Sequence, residues 1–307
     1  MTAKTISIIG GTGFLGRSIA RRLLKSGYAV KVFSRHAPRP GAWAALGDST
    51  RLTHVSADAA HPSSMEGALR GSFAVINLVG ILFETKTQRF HALHTEAAGQ
   101  LAAMASAEGV ERFIQVSALG VDRATDSAYA TSKLEGEARV RAAFPRATIL
   151  RPSVVFGPED NFFNQFADMS RFSPALPLIM GGHSQFQPVY VEDVAAAVEA
   201  CLTHDSAPSE TYALAGPQVY SFREILSLVL RVTGRTRLLL PLPEPLANVI
   251  ALAAETLLPR PPLTRDQIRL LKTPNILTAG SLTLADLGIR PAACEDIVPT
   301  YLGRKGA

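Results

Sequence analysis

A glycine-rich loop near the start of the chain has the composition of a phosphate-binding turn. Residues 10–16 read GGTGFLG and satisfy G-x-G-x-x-G from Gly11 and G-x-x-G-x-x-G from Gly10. Glycines let the backbone turn tightly and approach a pyrophosphate, and a following helix offers free N–H groups and its positive dipole end. The pattern predicts a dinucleotide-binding loop, with an ordinary glycine-rich turn as the alternative. The expected contacts are Gly10, Thr12, Gly13, Phe14, Leu15 and Gly16.

The end of the second predicted strand indicates which dinucleotide fits. Chains that bind NAD usually carry a carboxylate about twenty positions after the glycines, for the ribose 2′-hydroxyl. Here residues 33–36 read FSRH, without a carboxylate. The Arg35 guanidinium suits a 2′-phosphate, with Ser34 adding a hydroxyl. The sequence therefore favours NADP(H) over NAD(H), the alternative being that Arg35 is a surface arginine. Asp58, after the third strand, either accepts from the adenine amine or is a plain turn residue.

Tyr129 and Lys133 are the residues best suited to proton transfer. They lie four positions apart at the start of a predicted helix and share one face. A lysine ammonium beside a phenol is expected to lower the pKa of the phenol. The same lysine suits the nicotinamide ribose, so the pair fits proton exchange with a substrate hydroxyl during hydride transfer. An ordinary helix surface is the alternative, but the position after the fifth strand favours the chemical interpretation.

The elements that must position these residues alternate along the first half. Short apolar runs and helical patterns follow each other, which predicts a parallel sheet covered on both faces and a doubly wound Rossmann α/β fold. Six strands are expected, at 5–9, 29–33, 52–55, 73–78, 112–116 and from 148. The helices between them are expected at 15–25, 65–69, 91–107 and 128–143.

The second half reads differently. Between Phe156 and Pro177 lie aromatics, polar residues and two prolines, which predicts a loop-rich cover. Helices are expected at 191–201 and 222–232, with a strand at 212–214. Prolines after Thr233 predict short helices packed as a lid. We therefore expect an NADP-binding Rossmann domain over 1–155 and a smaller C-terminal substrate or lid region over 156–307, interleaved with the core.

Several motifs are shared with a known superfamily: residues 10–16, 77–80 (NLVG), 129–133 and 151–158 (RPSVVFGP). They resemble the extended and atypical short-chain dehydrogenase/reductases. A narrower set comprises residues 159–164 (EDNFFN), 189–194 (VYVEDV), 214–217 (LAGP) and 262–267 (PLTRDQ). It resembles the branch holding the nucleotide-binding accessory subunit of respiratory complex I and its bacterial relatives. The resemblance covers nearly the whole chain. It implies tight NADPH binding and further cofactor contacts at Asn77, Val79, Gly80, Lys133 and Pro152.

The chain departs from active members of this superfamily at two positions. Active members place a serine or threonine after the fifth strand to orient the substrate carbonyl. Ser117 is the natural candidate, although the extended pattern puts this slot on Ala118. His94 stands where active members carry an asparagine that supports a proton-relay water. It either relays a proton or is a structural residue. The resemblance implies a catalytic set of Tyr129, Lys133 and Ser117 and leaves turnover open.

Composition excludes several other classes of protein. The chain has 307 residues, of which 47% are hydrophobic and 19% charged, so it is not disordered. Two cysteines favour a reduced, intracellular location over a disulfide scaffold. We expect no signal peptide, because the first strand begins at residue 4 or 5. No metal site is expected, because His91 and His94 lack further ligands. The residues Glu135 and Glu137 are expected on a solvated helix face.

Charge and hydrophobicity point to two kinds of partner. The net charge of +5 favours an anionic partner, but basic tails and stacking aromatics are missing, so no nucleic acid is expected. Apolar residues at 238–240 and 246–258 are flanked by Arg235, Arg237 and Arg260. This segment either rests on an anionic membrane or a partner subunit, or forms a lid that buries its own leucines. The expected location is the bacterial cytoplasm or the periphery of the inner membrane.

Three functions remain open on the sequence. The first is an NADPH-binding accessory or assembly factor linked to respiratory complex I or quinone metabolism. The second is an active NADP-dependent reductase, dehydrogenase or epimerase-type enzyme acting on a hydrophobic ketone or alcohol. The third is a redox-sensing regulator that binds NADP without chemistry.

Overall fold

The computed structural model describes residues 3–36, 46 and 49–303 of the chain. The strands are β1 (Thr5–Ile9), β2 (Ala29–Ser34), β3 (Leu52–Ser56), β4 (Ala74–Asn77), β5 (Arg112–Val116), β6 (Thr148–Pro152), β7 (Val155–Phe156), β8 (Ala175–Ile179), β9 (Gln185–Phe186), β10 (Val189–Tyr190), β11 (Thr211–Leu214), β12 (Tyr220–Ser221) and β13 (Leu238–Leu242). The α-helices are α1 (Phe14–Lys25), α2 (Ala97–Ala107), α3 (Ala128–Ala143), α4 (Phe163–Phe172), α5 (Val191–Thr203), α6 (Phe222–Val232), α7 (Glu244–Leu257), α8 (Arg265–Leu270) and α9 (Cys294–Leu302).

The main sheet confirms the predicted Rossmann fold. Seven parallel strands pair in the order β11-β6-β5-β4-β1-β2-β3 within the described chain. The order reverses between β1 and β4, and ligands of such sheets bind in the crevice beyond the strand ends at this point. The seventh strand, β11, comes from the second half of the chain and pairs with β6. The strand predicted at 212–214 is therefore confirmed, and it forms the edge of the sheet that the six strands of the first half did not include.

Helices cover both faces of the sheet, as the nearly continuous apolar strands require. On one face Ile19 of α1 and Val198 of α5 lie in a buried cluster with Ile6 and Ile8. On the other face Leu101 of α2 and Val140 of α3 belong to a separate buried cluster. The helix predicted at 65–69 is wrong, because the 3₁₀ turn there covers Pro62–Met65.

The second half contains more regular structure than predicted. The expected loop-rich cover holds the helix α4, whose buried Phe163, Ala167 and Ser170 recur at helical spacing. It also holds the strand β8, which pairs in parallel with β13. Proline and aromatic residues suggested a loop, but packing among α4, α6 and α9 stabilises these elements as a further apolar cluster.

Helix α7 has its large apolar side chains on the outside. Ala247 and Ala251 are fully buried, whereas Leu246, Val249 and Leu257 are 51%, 64% and 79% exposed. Of the two alternatives for this segment, a lid that buries its own leucines does not agree with these exposures. Among the residues that the structure describes, no helix is long and apolar enough to cross a membrane.

Candidate functional site

The glycine loop joins β1 to α1 at the crevice of the sheet. Gly10 has a left-handed backbone with φ +82°, and its N–H donates to the Phe33 carbonyl at 2.9 Å. This bond places the loop beside the end of β2. A Cβ on Gly16 would lie 2.5 Å from the Gly11 Cα, so the first turn of α1 packs directly on the loop backbone. Only glycine permits this contact.

The outer side of the loop has room for a ligand. Among the described residues, a Cβ on Gly13 would come within 4 Å only of the Gly10 carbonyl oxygen, at 3.5 Å. Gly13 is the N-cap of α1, and within the described chain no side chain caps this helix end. Uncapped N–H groups and the helix dipole favour an anion at this position. The loop therefore fits the pyrophosphate of a dinucleotide.

The other loop residues mostly contact protein. The Thr12 carbonyl accepts a hydrogen bond from Arg17 Nη1 at 2.6 Å. Phe14 lies against Gly157, where an added Cβ would be 3.2 Å from Phe14 Cζ. Leu15 packs on the apolar cluster beneath the sheet. The Phe14 and Leu15 side chains and the Thr12 carbonyl thus hold the loop in shape through contacts with protein.

The residues predicted to choose the cofactor lie at the ends of β2 and β3. Arg35 is exposed at the end of β2. The Ser34 hydroxyl donates to the His36 carbonyl at 2.7 Å and lies 2.9 Å from His54 Nε2. Asp58 accepts the Ala60 N–H at 3.0 Å, the geometry of a turn residue. Of the three, Arg35 is best placed to reach a bound ligand.

The end of β4 is shaped by Asn77. Its amide donates to Gln115 Oε1 at 2.9 Å, and its amide oxygen accepts the Val79 N–H at 3.1 Å. Asn77 is fully buried, so it orders the turn after β4 from beneath. Gly80 lies three residues after Asn77. A Cβ on Gly80 would be 3.0 Å from Lys133 Nζ, so the missing side chain leaves space beside this ammonium.

Lys133 extends from α3 to the ends of β4 and β5. Its ammonium donates to the Val79 carbonyl at 3.3 Å and the Val116 carbonyl at 3.4 Å. Burial lowers the pKa of Lys133 to about 8, although the nearby Glu137 carboxylate acts in the opposite direction. The two carbonyl contacts place the ammonium at the crevice, where a cofactor ribose would need a hydrogen-bond donor.

Tyr129 lies one turn before Lys133 in an aromatic environment. Its ring meets His94 edge-on at 5.4 Å between centroids and Phe90 at 5.7 Å. Burial raises the pKa of Tyr129 to about 12. The expectation that the lysine lowers the pKa of this phenol is wrong for the protein alone, because desolvation of the phenolate dominates.

His94 is held as a neutral ring. Its Nε2 accepts the Ile81 N–H at 3.0 Å, so its Nδ1 carries the proton and donates to Ser132 Oγ at 3.0 Å. Ser132 Oγ in turn donates to the Tyr129 carbonyl at 2.8 Å. A carbonyl oxygen has no proton to pass on, so this series of hydrogen bonds ends there. Burial and Lys133 lower the pKa of His94 to about 2. The geometry supports the structural interpretation of His94 over a proton relay.

A π-helical turn, His91–Glu96, carries His94 and runs directly into α2. Such turns are rare and often lie at functional sites. The helical pattern of the sequence predicted the span but not its widened geometry. Thr95 Oγ1 donates to the Ser132 carbonyl at 2.8 Å, which fixes the turn against α3.

Ser117 follows β5 with a hydroxyl available for a ligand. Its Oγ is buried and has no hydrogen-bond partner among the described residues. Buried polar atoms are nearly always paired, so an isolated one often marks a ligand position. Ala118 packs on a small apolar cluster with Tyr129. Pro152, at the end of β6, accepts the Leu119 N–H through its carbonyl at 2.9 Å.

The comparisons with known proteins agree with this architecture. A family model described as the NAD dependent epimerase/dehydratase family matches residues 6–215. The chain belongs to this family.

Two relatives show which proteins this chain resembles in sequence. The mitochondrial NADH dehydrogenase 1 alpha subcomplex subunit 9 of Arabidopsis thaliana is 33% identical over 296 residues, covering 93% of this chain and 74% of that protein. Ceramide reductase of Caulobacter vibrioides is 30% identical over 240 residues, covering 78% of this chain and 74% of that protein. The resemblance to the complex I branch is confirmed.

Solved structures share the fold, and one of them covers nearly the whole chain. UDP-glucuronic acid 4-epimerase from Bacillus cereus, in complex with UDP-glucuronic acid and NAD, superimposes with a TM-score of 0.70. The sequences are 19% identical, and the match covers 98% of this chain and 99% of that one. At this identity the likeness concerns the fold alone.

The sequence interpretation missed a charge network formed by Glu137, Arg151 and Asp122. Glu137 is 4% exposed and accepts two hydrogen bonds from Arg151, at 2.9 and 2.7 Å. Arg151 also donates to Asp122 at 2.6 Å. The prediction that Glu137 lies on a solvated face is wrong, because Arg151 draws it inward; Glu135 is exposed as expected. The position of Glu137 one turn after Lys133 was the available signal.

Asp266 is a second residue that sequence reasoning did not assign to the site. Its carboxylate accepts the backbone N–H groups of Ala128 and Tyr129 at 2.8 and 3.1 Å. The residue lies in the PLTRDQ segment, whose resemblance to the complex I branch was the only signal. The C-terminal region thereby contacts the helix that carries Tyr129 and Lys133.

Two basic residues of α1 lie away from the site in ion pairs with α5. Arg21 and Arg22 of α1 form ion pairs with Glu192 and Glu199 of α5. In the described part of the chain, no group of three or more metal-ligating side chains comes together. Arg21 and Arg22 thus contribute to the packing of α1 against α5.

Proposed function

We propose that this protein binds a nicotinamide dinucleotide, with NADP(H) preferred over NAD(H). It does so as an accessory or assembly factor linked to respiratory NADH–ubiquinone oxidoreductase or quinone metabolism. The observation that carries the proposal is a surface suited to a dinucleotide beside a proton-transfer set that lacks the usual relay. The open Gly13 backbone and the Lys133 ammonium lie at the crevice, while hydrogen bonds to the Ile81 N–H and to Ser132 occupy both nitrogens of His94, which stands in the place of the relay asparagine.

Each part of the surface has a distinct task in binding. The loop backbone and the N-terminus of α1 would hold the pyrophosphate, and Arg35 would pair with a 2′-phosphate. Lys133 would donate to the nicotinamide ribose from its position at the strand ends. A bound dinucleotide would supply hydride chemistry. Retention of the cofactor as a structural ligand requires only the binding groups.

The kinship supports the accessory role. The Arabidopsis relative, a subunit of NADH dehydrogenase by name, spans nearly the whole of this chain. A subunit that binds dinucleotide for stability needs Gly13 and Lys133 but not a reactive phenol. Turnover and assembly therefore depend on different residues.

The test separates binding from turnover. Purified protein is titrated with NADPH and NADH by cofactor fluorescence, and complex I assembly is followed in cells that carry Tyr129→Phe or Gly13→Ala. We expect Tyr129→Phe to keep both NADPH affinity and assembly, and Gly13→Ala to lose both. Loss of assembly in Tyr129→Phe with normal NADPH binding would overturn the accessory role.

A reductase is the second candidate, favoured by the isolated Ser117 hydroxyl close to the Tyr129 helix. The Caulobacter relative is named a ceramide reductase. In this role the protein would transfer hydride from NADPH to a hydrophobic ketone, while a proton reaches the carbonyl oxygen to give the alcohol and NADP⁺. Oxidation of NADPH in the presence of long-chain ketones, abolished in Tyr129→Phe, would support it.

We also propose that α7 contacts an anionic membrane surface. Leu246, Val249 and Leu257 are exposed, and both carboxylates of the helix are paired, Glu244 with Lys272 and Glu255 with Arg265. The exposed residues are aliphatic, which suits lipid more than a polar protein interface.

Flotation with phosphatidylglycerol-containing vesicles tests this contact. Val249→Asp should abolish binding, whereas Phe172→Ser, at a position 87% exposed on α4, should leave it intact. Absence of wild-type binding to these vesicles would point instead to a protein partner.

A further inference from the structure

One carboxylate from the C-terminal region completes the N-terminus of α3. Asp266 of α8 accepts hydrogen bonds from Ser127 Oγ at 2.8 Å, from the Ala128 N–H at 2.8 Å and from the Tyr129 N–H at 3.1 Å. Ser127 Oγ in turn accepts the Ala130 N–H at 3.2 Å. The first N–H groups of a helix have no partner within the helix. Here two of them depend on a residue more than 130 positions away in the sequence.

The carboxylate lies in a favourable setting. The Asp266 side chain is 15% exposed, and a negative charge at a helix N-terminus interacts favourably with the helix dipole. Hydrogen bonds to a charged acceptor are stronger than neutral ones. Arg269 approaches the same carboxylate only at 3.8 Å, from an exposed position. The contacts with α3 therefore outweigh the ion pair within α8.

Helix α8 is in turn attached to α7. Thr264 and Gln267 form a capping box that fixes the start of α8. Arg265, which follows Thr264, contacts Glu255 of α7 through its backbone N–H at 2.7 Å and its Nε at 2.9 Å. Lys272, just after α8, pairs with Glu244 at 2.5 Å. Arg265 and Asp266 thus link the exposed helix α7 to the helix that carries Tyr129 and Lys133.

We propose that Asp266 is a positioning residue that couples the α7–α8 unit to the dinucleotide site. Its carboxylate sets where α3 begins, and so sets the positions of Tyr129 and Lys133 relative to the strand ends. Because coupling between two sites is reciprocal, a dinucleotide held at Lys133 stabilises α8. Contact of the α7–α8 unit with a membrane surface strengthens dinucleotide binding in the same way. This inference rests on the proposed dinucleotide binding.

Hydrogen exchange with and without NADPH tests the coupling. In the full-length wild-type protein, NADPH should slow exchange in residues 264–272 as well as in 128–131. Asp266→Ala should abolish the effect of NADPH on 264–272 and raise the Kd for NADPH about fivefold or more. Asp266→Asn, which keeps one acceptor oxygen, should restore part of both. The matched control Arg269→Ala removes only the exposed partner of Asp266 and should behave as wild type.

The outcomes separate this inference from the proposed function. An unchanged NADPH effect on 264–272 in Asp266→Ala, or equal losses in Arg269→Ala, would overturn the coupling. If the wild type binds no dinucleotide, the proposed function fails. The positioning role would then be judged by the basal exchange of residues 128–130, which should rise in Asp266→Ala but not in Arg269→Ala. Should Asp266→Ala fail to fold, the comparison is made with Asp266→Asn, which should weaken the NADPH effect on 264–272 and the NADPH affinity in part, whereas Arg269→Ala should change neither.

Discussion

The carbonyl oxygen of His94 occupies the space where a Cβ on Gly136 would lie, 1.9 Å from its ideal position. The backbone of the π-helical turn therefore presses directly onto α3. This close approach lets Thr95 bond the Ser132 carbonyl and lets the His94 ring meet Tyr129. The absence of a side chain at Gly136 thus allows the π-helical turn and α3 to pack closely beside the site.

Gly136→Ala should destabilise the protein substantially. The added methyl meets backbone that cannot move aside cheaply, and overpacking of this kind costs about 1–3 kcal/mol or more. Thermal and urea denaturation measure the loss. Gly99→Ala, where the new atom meets the Arg139 side chain at 3.0 Å, is the control and should cost less. Equal losses at the two glycines would contradict the close helix approach.

Two glycines of the loop should separate folding from binding. Gly13→Ala should cost less than about 1 kcal/mol of stability, the modest penalty of alanine at an N-cap, because its Cβ meets only an ordinary contact. It should nevertheless weaken NADPH binding about tenfold or more, because the methyl enters the space kept for the pyrophosphate. Gly16→Ala should instead destabilise the fold, since its Cβ would overlap the Gly11 backbone. Paired denaturation and fluorescence titrations measure both effects, and an unchanged NADPH affinity in Gly13→Ala would contradict a pyrophosphate at this loop.

Arg35 is expected to decide between the two dinucleotides. Arg35→Ala should weaken NADPH binding by about 1–3 kcal/mol, the range of a charge-assisted hydrogen bond, and leave NADH nearly unchanged. Lys31→Ala is the control on the same strand, because among the described residues its ammonium reaches only the Ala68 carbonyl, at 3.5 Å. Parallel titrations with both cofactors measure the difference. An equal effect on NADPH and NADH would rule out a 2′-phosphate contact.

The local features of the site could be predicted from the sequence, whereas its long-range contacts could not. The glycine loop and the Tyr129–Lys133 spacing are short patterns, and alternating apolar runs specify the Rossmann sheet. The partner of Glu137 lies on a neighbouring strand, and the acceptor for the Tyr129 N–H lies on α8. The apolar pattern of α7 fits burial of either its large side chains or its alanines, so only the structure shows that the alanines face inward.

Affinity for NADPH should fall as the pH rises through the pKa of Lys133. Burial lowers this pKa to about 8, so the ammonium is complete below that pH and is lost above it. Because ribose hydroxyls and phosphates favour the charged form, the Kd should rise up to about tenfold per pH unit once the lysine is neutral. Fluorescence titrations from about pH 6.5 to 9.5 follow the change. Lys133→Gln should bind more weakly and show a flat profile over this range.

Glu137→Gln should move that pH profile to lower values. The Glu137 carboxylate favours the charged form of Lys133, so its removal lets burial lower the pKa of the lysine further. NADPH affinity should then begin to fall at a lower pH than in the wild type. Arg151 keeps its contact with Asp122, so the cation remains partly paired and the variant should fold, at reduced stability. Glu135→Gln, an exposed carboxylate on the same helix, is the matched control and should keep the wild-type midpoint. A shift of the same size in both variants would show that Glu137 has no specific effect on Lys133.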